Sequence, residues 1–271
     1  MRCHYLSDLH LESQSFRGAL RQGDVLIITG DLCHANALDP ARTDPYRTKQ
    51  RDRVMRFADA ARSAFDHVIL VPGNHEHYEG VFEDTVPLLR HHLPGITILD
   101  NDAVEINGTR FVGATLWTDL DRRNETAMET IRRGMGEYFF VKTRRADEDG
   151  REVLEKLRPA DTLAAHDQAL AELRRQASIS DGKPMVIITH HAPSPQGLNP
   201  QHKGNGLDGA FASDLEGFIE SLGNTPYWIH GHTHIRRRYR IGNTTLLTNC
   251  RGFEGKDLCA RKFSADVFFE L

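Results

Sequence analysis

Cysteine is scarce in this 271-residue chain, and the little there is carries no metal-site spacing. Cys3, Cys33, Cys250 and Cys259 include no C-x-x-C pair, which argues against a Cys-rich structural zinc site or an Fe–S centre. Three of them lie in or beside apolar runs, so core thiols in a reducing cytoplasm are the expectation. A long apolar run is missing too: none approaches the ~20 residues a membrane helix needs. Asp8 and His10 interrupt the start, where a secretory leader would be basic and then apolar. Positive charge is not in excess either. A net charge of -4 argues against a general nucleic-acid binder, though a local basic patch remains compatible with it. No internal repeat and no low-complexity segment stands out, and the expected protein is cytoplasmic with no membrane partner. The length suits a full core, in one large domain or two small ones.

What the chain does have is a set of buried-strand patterns that stop abruptly at polar residues. Residues 2–10 end in Asp8-Leu9-His10, where a spacing of two on extended backbone would point both side chains the same way. Val25–Thr29 is a continuous β-branched run that stops at Gly30-Asp31. A helix over 48–64 carries Val54, Phe57, Ala58 and Ala61 at helical spacing. The next strand, Val68–Val71, stops at Pro72-Gly73-Asn74-His75-Glu76. A helix over about 80–92 leads to a strand at 96–99, and 103–116 reads as a hairpin turning at Asn107-Gly108. Met185–Thr189 ends in His190-His191, and Tyr227–Ile229 ends in His230-Gly231-His232-Thr233-His234. A helix over about 212–221 separates those two strands, and a last hairpin turns at Gly242-Asn243. This strand–helix rhythm predicts a layered α/β core.

Residues 119–178 break the rhythm: they are polar, with helical spacing at Leu163, Leu170 and Leu173 and Asp161 as a candidate N-cap. The tract reads as a helical insertion on a single domain spanning 1–271, placed to cap the site. Arg144–Arg151 reads as a solvated mixed-charge loop, and Arg236–Arg240 as an edge strand guarded by charge rather than a phosphate site.

Five strand ends thus carry Asp8/His10, Asp31, Asn74/His75, His190 and His232/His234. Ligands gather beyond the carboxyl ends of strands in such folds. The donors are all oxygen or imidazole nitrogen, which favours manganese, iron or zinc. Seven donors exceed the needs of one tetrahedral ion, so two ions sharing a bridging carboxylate fit better.

Together these blocks, in this order over residues 8–234, resemble the calcineurin-like metallophosphoesterase superfamily. That resemblance implies an α/β (α+β) fold, a four-layer β-sandwich flanked by helices. It implies one ion held by Asp8, His10, Asp31 and His234, and a second by Asp31, Asn74, His190 and His232. The implied chemistry is hydrolysis of a phosphomonoester or phosphodiester by in-line attack of a metal-bridging hydroxide, with the ions roughly 3.5–4 Å apart. His75 resembles the family's non-ligand histidine, which stabilises the transition state or protonates the leaving group; Asp31, Asn74 and His75 are the catalytic set. His191 is either an alternative ligand or a residue that orients His190, and the resemblance favours His190 as ligand. His34, His77 and Tyr78 are expected to face the same cleft, and Glu76 to pair with a neighbour rather than coordinate. Protein phosphatases of the superfamily carry a second Asp where this chain has His34, which points instead to a small, nucleotide-like phosphorylated substrate. A nuclease of the same superfamily is the nearest rival, ranked behind by the net acidity and the missing basic domain. A non-catalytic scaffold is the other, disfavoured because every ligand position is filled.

Overall fold

The computed structural model describes residues 1–179 and 181–271. Two sheets face each other. The first has the order β13-β1-β2-β3-β4, from β1 (Arg2–Leu6), β2 (Gly23–Ile28), β3 (Phe65–Leu70), β4 (Thr97–Ile98) and β13 (Phe268–Glu270). Strands β1 to β4 run parallel, and β13 closes one edge antiparallel to β1. The second has the order β11-β12-β10-β9-β6-β5. It comprises β5 (Asp102–Ile106), β6 (Thr109–Ala114), β9 (Met185–Thr189), β10 (Tyr227–Ile229), β11 (Arg236–Ile241) and β12 (Thr244–Asn249). Its four inner strands are parallel, and an antiparallel strand closes each edge.

Side-chain alternation on these fully buried strands sorts the core into layers. From β2, Val25 and Ile27 face the second sheet and meet Val186, Ile188, Ile229 and Leu247. Leu26 and Ile28 face the other way, onto Val54, Phe57, Ala58 and Ala61 of helix α1 (Pro45–Ala64). Asp44 caps α1 by accepting the Arg47 N–H at 3.0 Å, and Pro45 fits the first turn, where no N–H is needed. On the outer face of the second sheet, Ile187, Trp228 and Leu246 pack on Ala169 and Leu173 of α6 (Pro159–Ala177) and Ile219 of α8 (Glu216–Ser221). Helix, sheet, sheet, helix is the expected four-layer order.

The tract 119–178 is largely helical: α3 (Leu120–Arg123), α4 (Glu125–Gly134), α5 (Glu137–Phe140) and α6, with α3 a left-handed turn at φ 51–63°. It also holds a hairpin, β7 (Lys142–Ala146) and β8 (Glu152–Lys156). Arg144–Arg151 is therefore no simple loop. Arg144 pairs with Asp84 at 2.8 Å and Arg145 with Asp161 at 2.6 Å, so its charges bind neighbours instead of water. Asp161 is not the N-cap of α6 but sits three residues into it, accepting the Arg158 N–H at 2.7 Å. The helix expected over 80–92 begins as a tighter turn at Phe82–Asp84 and becomes α2 (Thr85–His92). Of the helix expected over 212–221 only α8, from Glu216, forms; Ala212 leaves helical geometry to bridge Ala192, which separates α8 from the short preceding helix α7 (Asp208–Phe211). Arg236–Arg240 does form an edge strand, and no helix among the described residues is long and apolar enough to cross a membrane.

Candidate metal centre

The expectation of an extended Asp8-x-His10 fails at the backbone: β1 stops at Leu6, and Asp8 and His10 have φ of 55° and 48°. Asp31, His232 and His234 share this left-handed conformation, at 54°, 65° and 45°. Non-glycine residues pay ~1–3 kcal/mol each for such geometry. Five in one place sum to roughly 5–15 kcal/mol, as large as the net stability of a domain. Strain of that size persists only where the surroundings over-determine it. Glycine supplies the room around it. A Cβ on Gly73 would run into Asp31 Oδ1, and one on Gly231 into Ser7 Oγ.

Two groups of donors result, and Asp31 belongs to both: Asp8, His10, Asp31 and His234 in one, Asp31, His190 and His232 in the other. Asn74 joins the second, with Oδ1 3.0 Å from His190 Nε2. The hydrogen bonds on the far side of each ring show what the near side offers. His10 Nδ1 lies 2.8 Å from Glu12, His234 Nδ1 2.7 Å from Asp257, and His190 Nδ1 2.8 Å from the Thr29 carbonyl. Each of those nitrogens faces an acceptor and so carries the proton, which leaves a lone pair on each Nε2. These lone pairs converge on other acceptors. His10 Nε2 is 3.1 Å from His234 Nε2, and His190 Nε2 is 3.1 Å from His232 Nδ1 and 3.4 Å from Asp31 Oδ1. Buried acceptors facing acceptors repel unless positive charge sits between them. A donor set of this kind fits divalent or trivalent cations.

The proton affinities agree. Burial alone would lower His234, yet hydrogen bonds to Asp257 and Asp8 push it up to about 10. A proton there does the work a cation would do, and metal loading displaces it. His75 follows the same logic: against burial, the Asp31 charge and the Glu12 hydrogen bond push it up to about 9. Glu12, despite burial, is held far below the usual carboxylate range by His10 and His75. His232 and His191 go the other way, pushed well below the ordinary value by burial and neighbouring imidazoles.

Asp8, His10, Asp31, Asn74, His190, His232 and His234 are all brought together; the other candidates lie around them. His75 stacks on Tyr78 at 4.3 Å, with Nε2 3.9 Å from Asp31. It also groups with His10 and Glu12, but Glu12 Oε1 already accepts from both rings, at 2.8 and 3.1 Å, and so orients them. Glu76 coordinates nothing: it accepts the backbone N–H of Asp31, Leu32, Cys33 and Gly73, locking two ligand turns together. His191 Nδ1 bonds the Thr115 carbonyl at 3.1 Å while its ring lies 4.3 Å from that of His232, outside both donor groups. His34 is buried with its ring 6.2 Å from His75. His77 does not face the cleft; it is buried against Phe82 and Trp117.

Four contributors were not anticipated. Glu12 and Asp257 orient ligand histidines, and Phe253 stacks on His10 at 4.0 Å. Glu137, buried in α5, accepts from Tyr78 OH at 3.2 Å and lies 3.5 Å from Asn74 Nδ2, while Tyr78 OH is 3.1 Å from the same amide nitrogen. That pair aims the amide so that its oxygen faces His190. Only Glu12, two residues past His10, carried a local signal.

The chain is similar to known proteins. An uncharacterized protein of Acanthamoeba polyphaga mimivirus is 24% identical over 217 residues, which is 74% of this chain and 73% of the viral one. The phosphopantetheinyl hydrolase of Mycobacterium tuberculosis superposes with a TM-score of 0.61 at 17% identity, over 93% of this chain and 89% of its own, a likeness of fold. The pattern of the calcineurin-like phosphoesterases matches residues 1–236, which include every residue of both donor groups. The chain belongs to the calcineurin-like phosphoesterase family and is a phosphoester hydrolase.

Proposed function

We propose that the chain is a two-metal phosphoesterase acting on a small, nucleotide-like phosphomonoester or phosphodiester. The observation that carries this is the pair of donor groups that share Asp31, with oxygen and imidazole donors converging within 3.1–3.4 Å. Asp8, His10, Asp31 and His234 would hold one ion, and Asp31, Asn74, His190 and His232 the other, as manganese, iron or zinc. When bound, such ions lower the pKa of a shared water and neutralise charge on the phosphoryl oxygens.

The chain's own residues supply the rest. Against burial, the Asp31 charge and the Glu12 hydrogen bond raise the proton affinity of His75, whose Nε2 lies 3.9 Å from Asp31, and from there it would deliver a proton to the leaving oxygen. Proton transfer of this kind contributes typically ~10²–10⁴-fold. Glu12 fixes the orientation of His75, Asp257 that of His234, and the Tyr78–Glu137 pair that of Asn74. Rings line the approach: Tyr78 stacks on His75, Phe140 lies 5.7 Å from Tyr78, and Tyr46 lies 6.3 Å from His34. Phe140 and Tyr46 are 55% and 46% exposed, free faces on which a nucleobase can stack. Phe140 and Glu137 come from 119–178, which supports reading that tract as a cap on one domain. The four free, buried thiols support a cytoplasmic setting.

The test is hydrolysis of bis-p-nitrophenyl phosphate and p-nitrophenyl phosphate after metal removal and manganese addition. Asp31→Asn is expected to abolish turnover and reduce bound metal. His75→Ala is expected to lower kcat by ~10²–10⁴-fold with metal retained. Wild-type protein that binds two ions per chain yet cleaves neither ester nor any nucleotide would refute the reading, as would protein that binds no metal.

A further inference from the structure

A cavity of about 420 Å³ opens beside His234, between the loop at 199–201, the start of β11 and the segment 258–262. Its polar lining is Asn199, Gln201, Arg236, Arg237 and Lys262, and of the two donor groups only His234 borders it. Asn199 Nδ2 donates to the His234 carbonyl at 3.0 Å, so one wall is tied to the ligand segment itself. Arg236 donates one guanidinium N–H to the Lys262 carbonyl at 2.8 Å, and Arg237 donates one to the Gln196 carbonyl. Each fork is therefore anchored at one corner and keeps further donors for a ligand.

No Asp or Glu among the described residues pairs with Arg236, Arg237 or Lys262. The contrast with the cap tract is sharp. There Arg122, Arg123, Arg132, Arg133, Arg144 and Arg145 all have carboxylate partners. In a chain with 38 acidic and 34 basic residues, three cations without a carboxylate partner border one concavity and give its rim a local positive charge. A bound anion would offset that charge, and anchored guanidinium forks match phosphate oxygens geometrically. The arginine run thus divides. Arg238 lies exposed along the edge strand, while Arg236 and Arg237 border the cavity from opposite faces of β11, Arg236 on the side of Lys262 and Arg237 on the side of Gln196.

We infer that this cavity receives a second phosphate of the substrate, so that the substrate class is a phosphoester bearing a further phosphate some distance from the bond cleaved. The inference rests on the phosphoesterase reading, and its experiment separates the two. The manganese-loaded full chain is assayed on thymidine 5′-(p-nitrophenyl phosphate) with and without a 3′-phosphate, and on bis-p-nitrophenyl phosphate. Wild type should prefer the 3′-phosphorylated ester in kcat/KM by about 10-fold or more, the usual reach of charge-assisted hydrogen bonds. An Arg236→Gln/Lys262→Gln variant, altered outside the metal centre, should lose that preference and keep its rate on bis-p-nitrophenyl phosphate.

In parallel, pyrophosphate is titrated calorimetrically into metal-stripped full chain whose fold is verified by circular dichroism. Metal removal excludes pyrophosphate held by an ion, and the double variant leaves the centre's own residues unchanged, so binding that salt weakens and the double variant loses supports the cavity. Absence of binding, or equal binding by the variant, overturns the inference. Binding lost in the variant, with no 3′-phosphate preference in wild type, overturns the assignment to substrate in favour of a free anion. If wild type cleaves none of the esters, the phosphoesterase reading fails, and the pyrophosphate arm still decides whether the cavity takes phosphate.

Discussion

Five ligand-bearing residues with positive φ give this centre its character at the scale of single side chains. Each sits two to five residues beyond the end of a strand, and backbone hydrogen bonds between the loops hold the first of them: Asp8 N–H to the Gly30 carbonyl at 3.0 Å, His10 N–H to the Asp31 carbonyl at 2.9 Å. Glu76 adds four more bonds from one carboxylate. The orienting carboxylates are the sensitive positions. Asp257→Asn keeps the shape but loses the charge behind His234, and is expected to weaken metal affinity by roughly 10–100-fold while the fold is retained. A manganese titration with native-like circular dichroism checks this; unchanged affinity would mean that Asp257 merely fills space. The candidate ligands were legible as a cluster because a polar residue ending a buried apolar run stands out. Asp257 was not, since nothing nearby in sequence distinguishes it from the other acidic residues, and only folding brings it 2.7 Å from His234.

Among the elements, the insertion is bound to the centre at one point and to the second sheet at another. At the first, Glu137 of α5 and Tyr78 aim the Asn74 amide. Glu137→Leu removes the acceptor beside Tyr78 and the Asn74 amide nitrogen, so the amide is no longer held with its oxygen toward His190. The second equivalent of manganese should then bind more weakly while the first is unaffected; equal loss of both would contradict the assignment. At the second, α6 is held by His166, whose Nδ1 donates to the Leu116 carbonyl at 3.0 Å. Burial lowers the pKa of His166, so the folded chain resists a proton that the unfolded chain accepts. The contribution is whole above the unfolded value of about 6.5 and fades as pH falls below it. Melting curves between pH 7 and 5 should show wild type losing stability, and His166→Gln, which keeps a donor but does not titrate, losing less. An identical pH slope would remove His166 as the cause. Helix and strand existence read well from apolar periodicity. The hairpin β7–β8 did not, because its charged residues alternate without an apolar face, and the split of α7 from α8 depends on a bridge to Ala192, far away in sequence.

Taken whole, the molecule is two sheets packed face to face, and the centre lies on the seam where the carboxyl ends of their strands come together. Asp8, Asp31 and Asn74 follow strands of the first sheet, His190 and His232 strands of the second. Metal should therefore stabilise the entire fold. Manganese at about 100-fold its dissociation constant adds ~2.7 kcal/mol per ion, worth a Tm rise of about 5–10 °C in calorimetry. A Tm indifferent to metal would mean that the folded chain binds manganese no better than the unfolded one, and would overturn the metal assignment. The same placement sets an order of events during synthesis. The proposed ligands run from residue 8 to residue 234, so the growing chain cannot complete either donor group until most of it has been made. Metal then arrives as the closing step of assembly and cannot serve as its seed. The apolar layers must bring the strained strand ends together unaided, which is why so much of this sequence is devoted to holding a site in shape before anything occupies it.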